Sequence, residues 1–297
     1  MRLTRAQVEA FHENGYLVVE NALIPEDLDP LIADFETLID DIAEELYTEG
    51  KIEECYEDQP FGQRIAWLTK AADAVLQGRV SFPSNLRRPI FDFLHNEHLL
   101  DLLEPIIGSE IYCNPTHHVR PKLPEPLMAE GFDNWIQKSP FHQDAAVLLP
   151  EADNTLVVTT WIPLVDATEE NGTLQVYPGL HRGEIRRHVR CPYGWMIAPE
   201  LMPAGEPTTI PVKKGGLILI HCRTPHGSVP NLSNEVRWSL DLRWHDARKP
   251  GGRPQPGIRV RSRAHPEKVT RDHQAWIDAW ESAKADKTPR KMYRWAD

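Results

Sequence analysis

Val236-Arg237-Trp238-Ser239-Leu240-Asp241-Leu242-Arg243-Trp244 is a short run of apolar residues interleaved with charged ones. Read as a regular strand, it places Arg237, Ser239, Asp241 and Arg243 on one inner face. A buried guanidinium demands a partner, so Arg243 either pairs with Asp241 or another inner carboxylate or recognises a substrate. Comparable runs of β-branched and apolar residues occur upstream at 111–114, 155–163, 173–177 and 217–221, broken by Pro, Gly and Asn. Many short strands with Pro/Gly-rich joins argue for a sandwich or barrel rather than a βαβ sheet. The 26 prolines, roughly 9% where about 5% is usual, then mark turns and helix starts, where a missing N–H does least harm.

Outward from this β region the texture changes on both sides. Residues 1 to about 110 read as a mostly helical flank. Thr4 caps a first helix with Gln7 as its capping-box partner, and Gly15 ends it before the strand-like Tyr16-Leu17-Val18-Val19. A longer helix follows Pro25, with apolar residues at helical spacing from Leu28 to Leu46. The acidic residues between Glu26 and Asp58 read as its solvated face rather than a cation site. Another helix is expected from Arg88 to Leu103, closed by Pro105 and Gly108. The last fifty residues, 248–297, carry 13 Lys+Arg against 6 Asp+Glu, a local +7 in a chain whose net charge is −11. This basic extension ends in a helix with Trp276 and Trp280 four apart. It is expected to fold back onto the acidic helical flank, and a contribution to binding an anionic substrate is the alternative. The sequence is thus expected to form one domain over 1–297: helical flank 1–110, β core 111–247 and basic extension 248–297.

Composition narrows the function classes. At 297 residues, 41% hydrophobic and 26% charged, the chain can build a sizeable core. A pI near 5.6 argues against a nucleic-acid partner, which requires a concentrated basic surface. The first fifteen residues lack the apolar stretch of a secretory signal, and no uncharged run is long enough for a membrane span. Cys55, Cys113, Cys191 and Cys222 form no CxxC pair, which fits neither a disulfide framework nor a thiolate zinc knuckle. The expected location is the cytoplasm, with no membrane partner.

The most informative peptide is Pro140-Phe141-His142-Gln143-Asp144. On a strand, His142 and Asp144 point to the same face and can bind one metal ion. The best third ligand is His226 in Thr224-Pro225-His226-Gly227-Ser228, just past the apolar run 217–221. Two histidines and one carboxylate on one face of a cation leave three positions open, the arrangement of non-haem Fe(II) oxygenases. Arg237 lies 11 residues after His226, and its guanidinium can hold a carboxylate bidentately. That is what a buried dicarboxylate co-substrate needs.

Taken together, these segments resemble the phytanoyl-CoA dioxygenase family of Fe(II)/2-oxoglutarate oxygenases. The resemblance rests on His142-Gln143-Asp144, Trp161-Ile162-Pro163-Leu164-Val165-Asp166, Asn171-Gly172-Thr173-Leu174 and Tyr177-Pro178-Gly179-Leu180-His181-Arg182-Gly183. It continues through Lys214-Gly215-Gly216, His226-Gly227-Ser228, Asn231 and Arg237. It implies a mainly β fold with flanking helices, a double-stranded β-helix or jelly-roll core packed against the N-terminal helices. It implies that His142, Asp144 and His226 bind iron and that Arg237 holds the far carboxylate of 2-oxoglutarate, with Ser228 and Trp161 lining the same pocket. Where relatives carry Lys-Pro-Pro, this chain has Val119-Arg120-Pro121-Lys122-Leu123-Pro124, so either Arg120 or Lys122 takes the lysine's place beside the co-substrate.

The implied reaction consumes O2 and 2-oxoglutarate, releases succinate and CO2, and hydroxylates an unactivated C–H of a small molecule. Desaturation or ring closure is the alternative outcome. In related halogenases a small residue replaces the metal-binding carboxylate, so Asp144 argues against halogenation. A zinc hydrolase built on the same three ligands would leave Arg237 without a reason, and a non-catalytic jelly-roll binding protein is the remaining reading. His117 and His118 are candidate substrate contacts, as is Arg243. His181 and His221 read as structural. Basic residues near the site, Arg120, Lys122, Arg243, Arg186 and Arg187, favour an anionic substrate.

Overall fold

The computed structural model describes residues 1–73, 76–80, 86–128, 139–191 and 194–295. Its strands are β1 (Tyr16–Val19), β2 (Glu110–Cys113), β3 (His118–Lys122), β4 (Val158–Pro163), β5 (Leu174–Val176) and β6 (His188–Cys191). They continue with β7 (Gly194–Ile197), β8 (Thr208–Ile210), β9 (Leu217–His221), β10 (His226–Ser228), β11 (Arg237–Asp246) and β12 (Ile258–Ser262). The helices are α1 (Arg5–Asn14), α2 (Pro25–Thr48), α3 (Arg64–Ala71), the single turn α4 (Gln77–Val80), α5 (Arg88–Leu94), α6 (Glu97–Ile107) and α7 (His273–Ala285).

A seven-stranded sheet runs β1-β9-β4-β11-β2-β12, with β3 sharing with β2 the second edge of β11. A smaller sheet, β10-β5-β8, faces it, and the β6–β7 hairpin stands beside them. The strand alternation sorts the two faces of the large sheet. Val158 and Ile162 of β4, Leu217 and Leu219 of β9, and Trp238, Leu240, Leu242 and Trp244 of β11 join the helices in the main core. Trp161, Ile218 and Ile220 turn the other way and pack with Leu174, Val176 and Ile210 of the small sheet. The result is a jelly-roll core with helices on its outer face, as expected.

The helical layer forms for local reasons that the sequence shows. The Thr4/Gln7 capping box closes α1 at its start, and Gly15 ends it in the left-handed conformation at φ 74°. α2 buries Leu28, Leu31, Phe35, Ile39, Ile42 and Leu46, one stripe at helical spacing, and Phe35 stacks on Trp238 at 5.8 Å. The helix expected over 88–103 is two helices. α5 stops at Leu94, and the Asn96 side chain accepts from the Leu99 N–H at 2.9 Å to cap α6. Pro105 lies inside α6, not after it. It falls in the last turn, two residues before the helix ends at Ile107, and removes the one bond to the Asp101 carbonyl.

The basic extension adds β12 to the edge of the large sheet beside β2. Arg261 pairs with Asp101 and Glu104, each at 2.8 Å, and also with Glu97. Arg263 reaches Glu104, and Arg259 reaches Glu110. The segment therefore folds back on the acidic face of α6, while α7 buries Trp276 and Trp280. Among the described residues no helix is long and apolar enough to cross a membrane.

Candidate metal centre

His142 does not sit in a regular strand, as its HxD spacing suggested. It makes an isolated bridge with the first residue of β10: its N–H donates to the His226 carbonyl at 2.9 Å, and the His226 N–H returns the bond at 3.0 Å. Asp144 opens a 3-10 turn, Asp144–Val147, but Gln143 between them is extended at φ −116° and ψ 129°. The same-face geometry is thereby kept, and His142 Nε2 lies 3.8 Å from Asp144 Oδ1. The intervening Gln143 side chain is fully buried and acts as a staple. It donates to the carbonyls of Arg223 (2.7 Å) and Glu184 (3.3 Å) and accepts from the Arg186 N–H (2.8 Å).

The third member arrives through the β9–β10 turn, which the end of α1 fixes in place. Gly15's carbonyl accepts from Thr224 Oγ1 at 2.6 Å and from the His221 N–H at 2.9 Å. A Cβ at Gly15 would meet the His181 ring at 2.3 Å and Thr224 at 2.6 Å, so glycine is required by contact as well as by φ. His181 and His221 thus support this junction. His142, Asp144 and His226 are the group among the described residues whose ligand atoms converge, all within 4.8 Å of one another.

The hydrogen bonds around the three side chains suit a cation. His142 Nδ1 lies 2.8 Å from the Pro140 carbonyl and His226 Nδ1 lies 2.9 Å from the Thr224 carbonyl. Each Nδ1 must carry the proton to make that bond, which leaves both Nε2 lone pairs free. Burial, with His226 next in effect, pushes the His142 imidazole down to about 3, so it is neutral at pH 7. Burial works against the charged form of Asp144. The Arg243 guanidinium, helped by His226 and His142, outweighs it and holds the carboxyl well below the usual carboxylate range. Arg243 Nη2 donates to Asp144 Oδ1 at 2.7 Å, and Thr159 of β4 donates to Oδ2.

The inner face of β11 continues the site. Arg243 also donates to Asp241 at 2.6 Å, and Arg120 of β3 holds the other oxygen of Asp241. Arg120 and Arg243, both candidates for ligand contact, are therefore engaged by inner carboxylates. Arg237, 3% exposed, is treated differently. Its contacts are the Gly172 carbonyl at 3.3 Å, the Ser239 hydroxyl and the Trp161 ring, 5.1 Å below its guanidinium. Among the described residues it has no carboxylate partner. Burial, then Arg120, pushes it down to about 9.

Lys122 stands opposite Arg237 in the ladder. Burial and the neighbouring guanidinium push its ammonium well below its ordinary value, and it donates to Ser228 Oγ at 2.7 Å and to the Val229 carbonyl. Two cations facing each other across a strand pair repel. Of the two candidates in the Arg-Pro-Lys stretch, Arg120 lines one pocket with Arg237 and Ser228, and Lys122 touches Ser228 and pairs with Arg237 across the ladder. Gly172 at φ +97° makes room for it, since a Cβ there would meet Lys122 Cδ at 2.7 Å.

A pocket bounded by His142, His226, Ser228, Trp161, Arg120 and Arg237 joins the triad to the Arg237 guanidinium, and Lys122 does not line it. On the other side of His142 and Asp144 a cavity of about 620 Å³ opens, lined also by His117, His118 and Arg243. His117 is buried with Nδ1 3.0 Å from the Asn114 carbonyl, and its ring meets Trp280 edge-on at 6.0 Å. The sequence reading missed Thr159 and Gln143, which hold the ligands. Thr159 had one available signal, its alternation with Trp161 on β4. It also missed the residues that the β6–β7 hairpin and the extension bring to the cavity: Arg190, Trp195, Arg253 and Tyr293.

Comparison with known proteins follows the same lines. The family model for phytanoyl-CoA dioxygenase (PhyH) matches residues 11–239. "Phytanoyl-CoA dioxygenase domain-containing protein 1" of Danio rerio is 28% identical over 261 residues, covering 79% of this chain and 87% of that protein. Among solved structures, the non-heme monooxygenase ThoJ in its apo form matches with a TM-score of 0.63 at 18% identity, covering 94% of each chain. The epimerase SnoN, in complex with Fe3+, alpha ketoglutarate and nogalamycin RO, matches with a TM-score of 0.55 at 17% identity, covering 98% of this chain and 95% of its own.

Proposed function

The chain belongs to the phytanoyl-CoA dioxygenase family, and from that premise we propose that it is an Fe(II)- and 2-oxoglutarate-dependent oxygenase. The substrate is a small molecule, an unactivated C–H of which is hydroxylated while succinate and CO2 are released. The observation that carries this reading is a pairing within one cleft. A donor set of half-buried His142 with buried Asp144 and His226, with both Nδ1 atoms tied to carbonyls, opens toward a buried Arg237 that has no carboxylate of its own among the described residues. A zinc hydrolase would use the first half and leave the second as an uncompensated buried cation, several kcal/mol unfavourable by the usual order of magnitude.

In this reading His142 and His226 hold the ion through Nε2 and Asp144 through a carboxylate oxygen. When bound, the iron and the oxo acid supply O2 activation coupled to decarboxylation. Arg237 clamps the distal carboxylate bidentately, with Ser228 and Arg120 lining the same pocket, while Lys122 holds the Ser228 hydroxyl in place. Trp161 walls the pocket and keeps water from the guanidinium. Arg243 and Thr159 fix the orientation of Asp144. Because Asp144 is retained, a coordination position for halide is not vacated, and oxygen transfer is the expected outcome. The whole of 1–297 acts as one unit in this proposal, since β11 carries the site on one face and the core on the other. Cys55, Cys113, Cys191 and Cys222 are all free, which supports placement in a reducing cytoplasm.

Anaerobic addition of Fe(II) and 2-oxoglutarate should produce a weak visible charge-transfer absorption, and aerobic incubation should form succinate. Asp144→Ala should abolish both. Undiminished succinate formation by that variant would overturn the assignment.

A further inference from the structure

The cavity of about 620 Å³ beside His142 and Asp144 is of the size that encloses a small organic ligand. One part of its lining is a continuous ladder from two distant segments. Arg190 of β6 lies over the Trp195 ring of β7 at 5.5 Å, and Trp195 meets Tyr293 of the C-terminal extension at 6.1 Å and 47°. Arg253 lies over Tyr293 at 4.8 Å. Arg253 Nη1 also donates to the carbonyls of Val147 (2.9 Å) and Met292 (2.8 Å), which ties the end of the extension to the cavity rim.

The charges of this ladder are not balanced. The other two arginines of the lining, Arg120 and Arg243, are both held by Asp241, and the lining carboxylate Asp144 is already paired with Arg243. Arg190 and Arg253 have no carboxylate partner among the described residues. Arg253 is partly buried, and burial lowers its pKa with only Tyr293 acting in the other direction. An uncompensated, partly desolvated cation favours an anionic ligand, and a guanidinium matches a carboxylate or phosphate in a bidentate way. Between the two cations the surface is aromatic, which suits an apolar planar body better than a hydrated one.

We propose that the substrate is a planar ring or conjugated molecule bearing an anionic group, its body against Trp195 and Tyr293 and its charge at Arg190 and Arg253. The oxygenase reading identifies this cavity as the substrate site. The ladder itself is independent of it. The probe is 1-anilinonaphthalene-8-sulfonate, a planar ring system with one negative charge, titrated into the full-length protein and compared with neutral N-phenyl-1-naphthylamine. The sulfonate should bind at least about tenfold more tightly than the neutral compound. Arg190→Gln, at an exposed position, should remove about that factor, the loss expected for one charge-assisted contact, and leave the neutral compound's affinity in place. Arg190→Glu should weaken the sulfonate further. Equal affinity for the two probes, or sulfonate binding indifferent to both substitutions, would overturn the proposal. The visible charge-transfer absorption of the wild-type protein with Fe(II) and 2-oxoglutarate under anaerobic conditions is scored separately. If it occurs while the probe result is negative, only the substrate class falls; if it is absent, the oxygenase reading falls whatever the probes do.

Discussion

The two faces of β11 are equally dry and chemically opposite. Trp238, Leu240, Leu242 and Trp244 point into the helix-covered core, while Arg237, Ser239, Asp241, Arg243 and His245 point into the jelly roll, all of them at most 4% exposed. Burial alone therefore does not identify a core. The outer face is stabilised by apolar area removed from water. The inner face costs desolvation, which Asp241 recovers by holding both Arg120 and Arg243, whereas Arg237 has a carbonyl, a hydroxyl and the Trp161 ring but no paired carboxylate among the described residues. In the proposed reading that cation is kept for the co-substrate, so the imbalance along one strand would separate a structural ion network from a binding group.

Four substitutions break or sharpen this contrast. Arg243→Met should have the largest effect, about 3–5 kcal/mol of unfolding free energy in denaturant titration, because it strips two buried carboxylates of a shared cation. It should also lower Fe(II) affinity by about 10–100-fold, as loss of a group orienting a ligand does. Leu240→Ala, on the outer face, should cost roughly 2–5 kcal/mol by cavity formation and leave metal affinity as it was. Arg237→Leu should raise the KM for 2-oxoglutarate by about a hundredfold, the order expected when one partner of a buried charge pair is truncated. Its thermal midpoint should stay level or rise, since an uncompensated charge is removed. A fall in midpoint would mean that Arg237 is structural. Arg263→Gln breaks an exposed pair with Glu104 and should leave the midpoint and succinate formation where they were.

The local parts of the architecture were readable from the sequence. The Thr4/Gln7 capping box, Gly15, the apolar stripe of α2 and the alternation of β11 are short-range signals, and the strands at 217–221 and 237–246 formed close to where composition placed them. The helix expected over 88–103 was misread because Asn96, a cap, looks like any polar residue until its side chain meets Leu99 N–H. The short strands β3, β6, β7, β8 and β12 carry no strong period of their own and exist through their partners.

The site divides in the same way. The convergence of His142, Asp144 and His226 was legible because metal-ligand chemistry constrains residue type and spacing, whatever surrounds them. The sequence could not decide whether Arg243 serves a carboxylate or a substrate, since its partner Asp144 lies 99 positions away. Nor could it show that Arg253 and Tyr293, 109 and 149 residues beyond Asp144, line the cavity. Those outcomes depend on which distant surfaces the sheet brings within hydrogen-bond reach, and pairings of that range are set by packing of the whole chain. The sequence by itself named His142, Asp144 and His226, whose ligand atoms the fold brings together, and the buried Arg237. The tertiary structure alone decided which buried charges are paired with a carboxylate, because partners such as Asp144 for Arg243 and Asp241 for Arg120 come from distant segments.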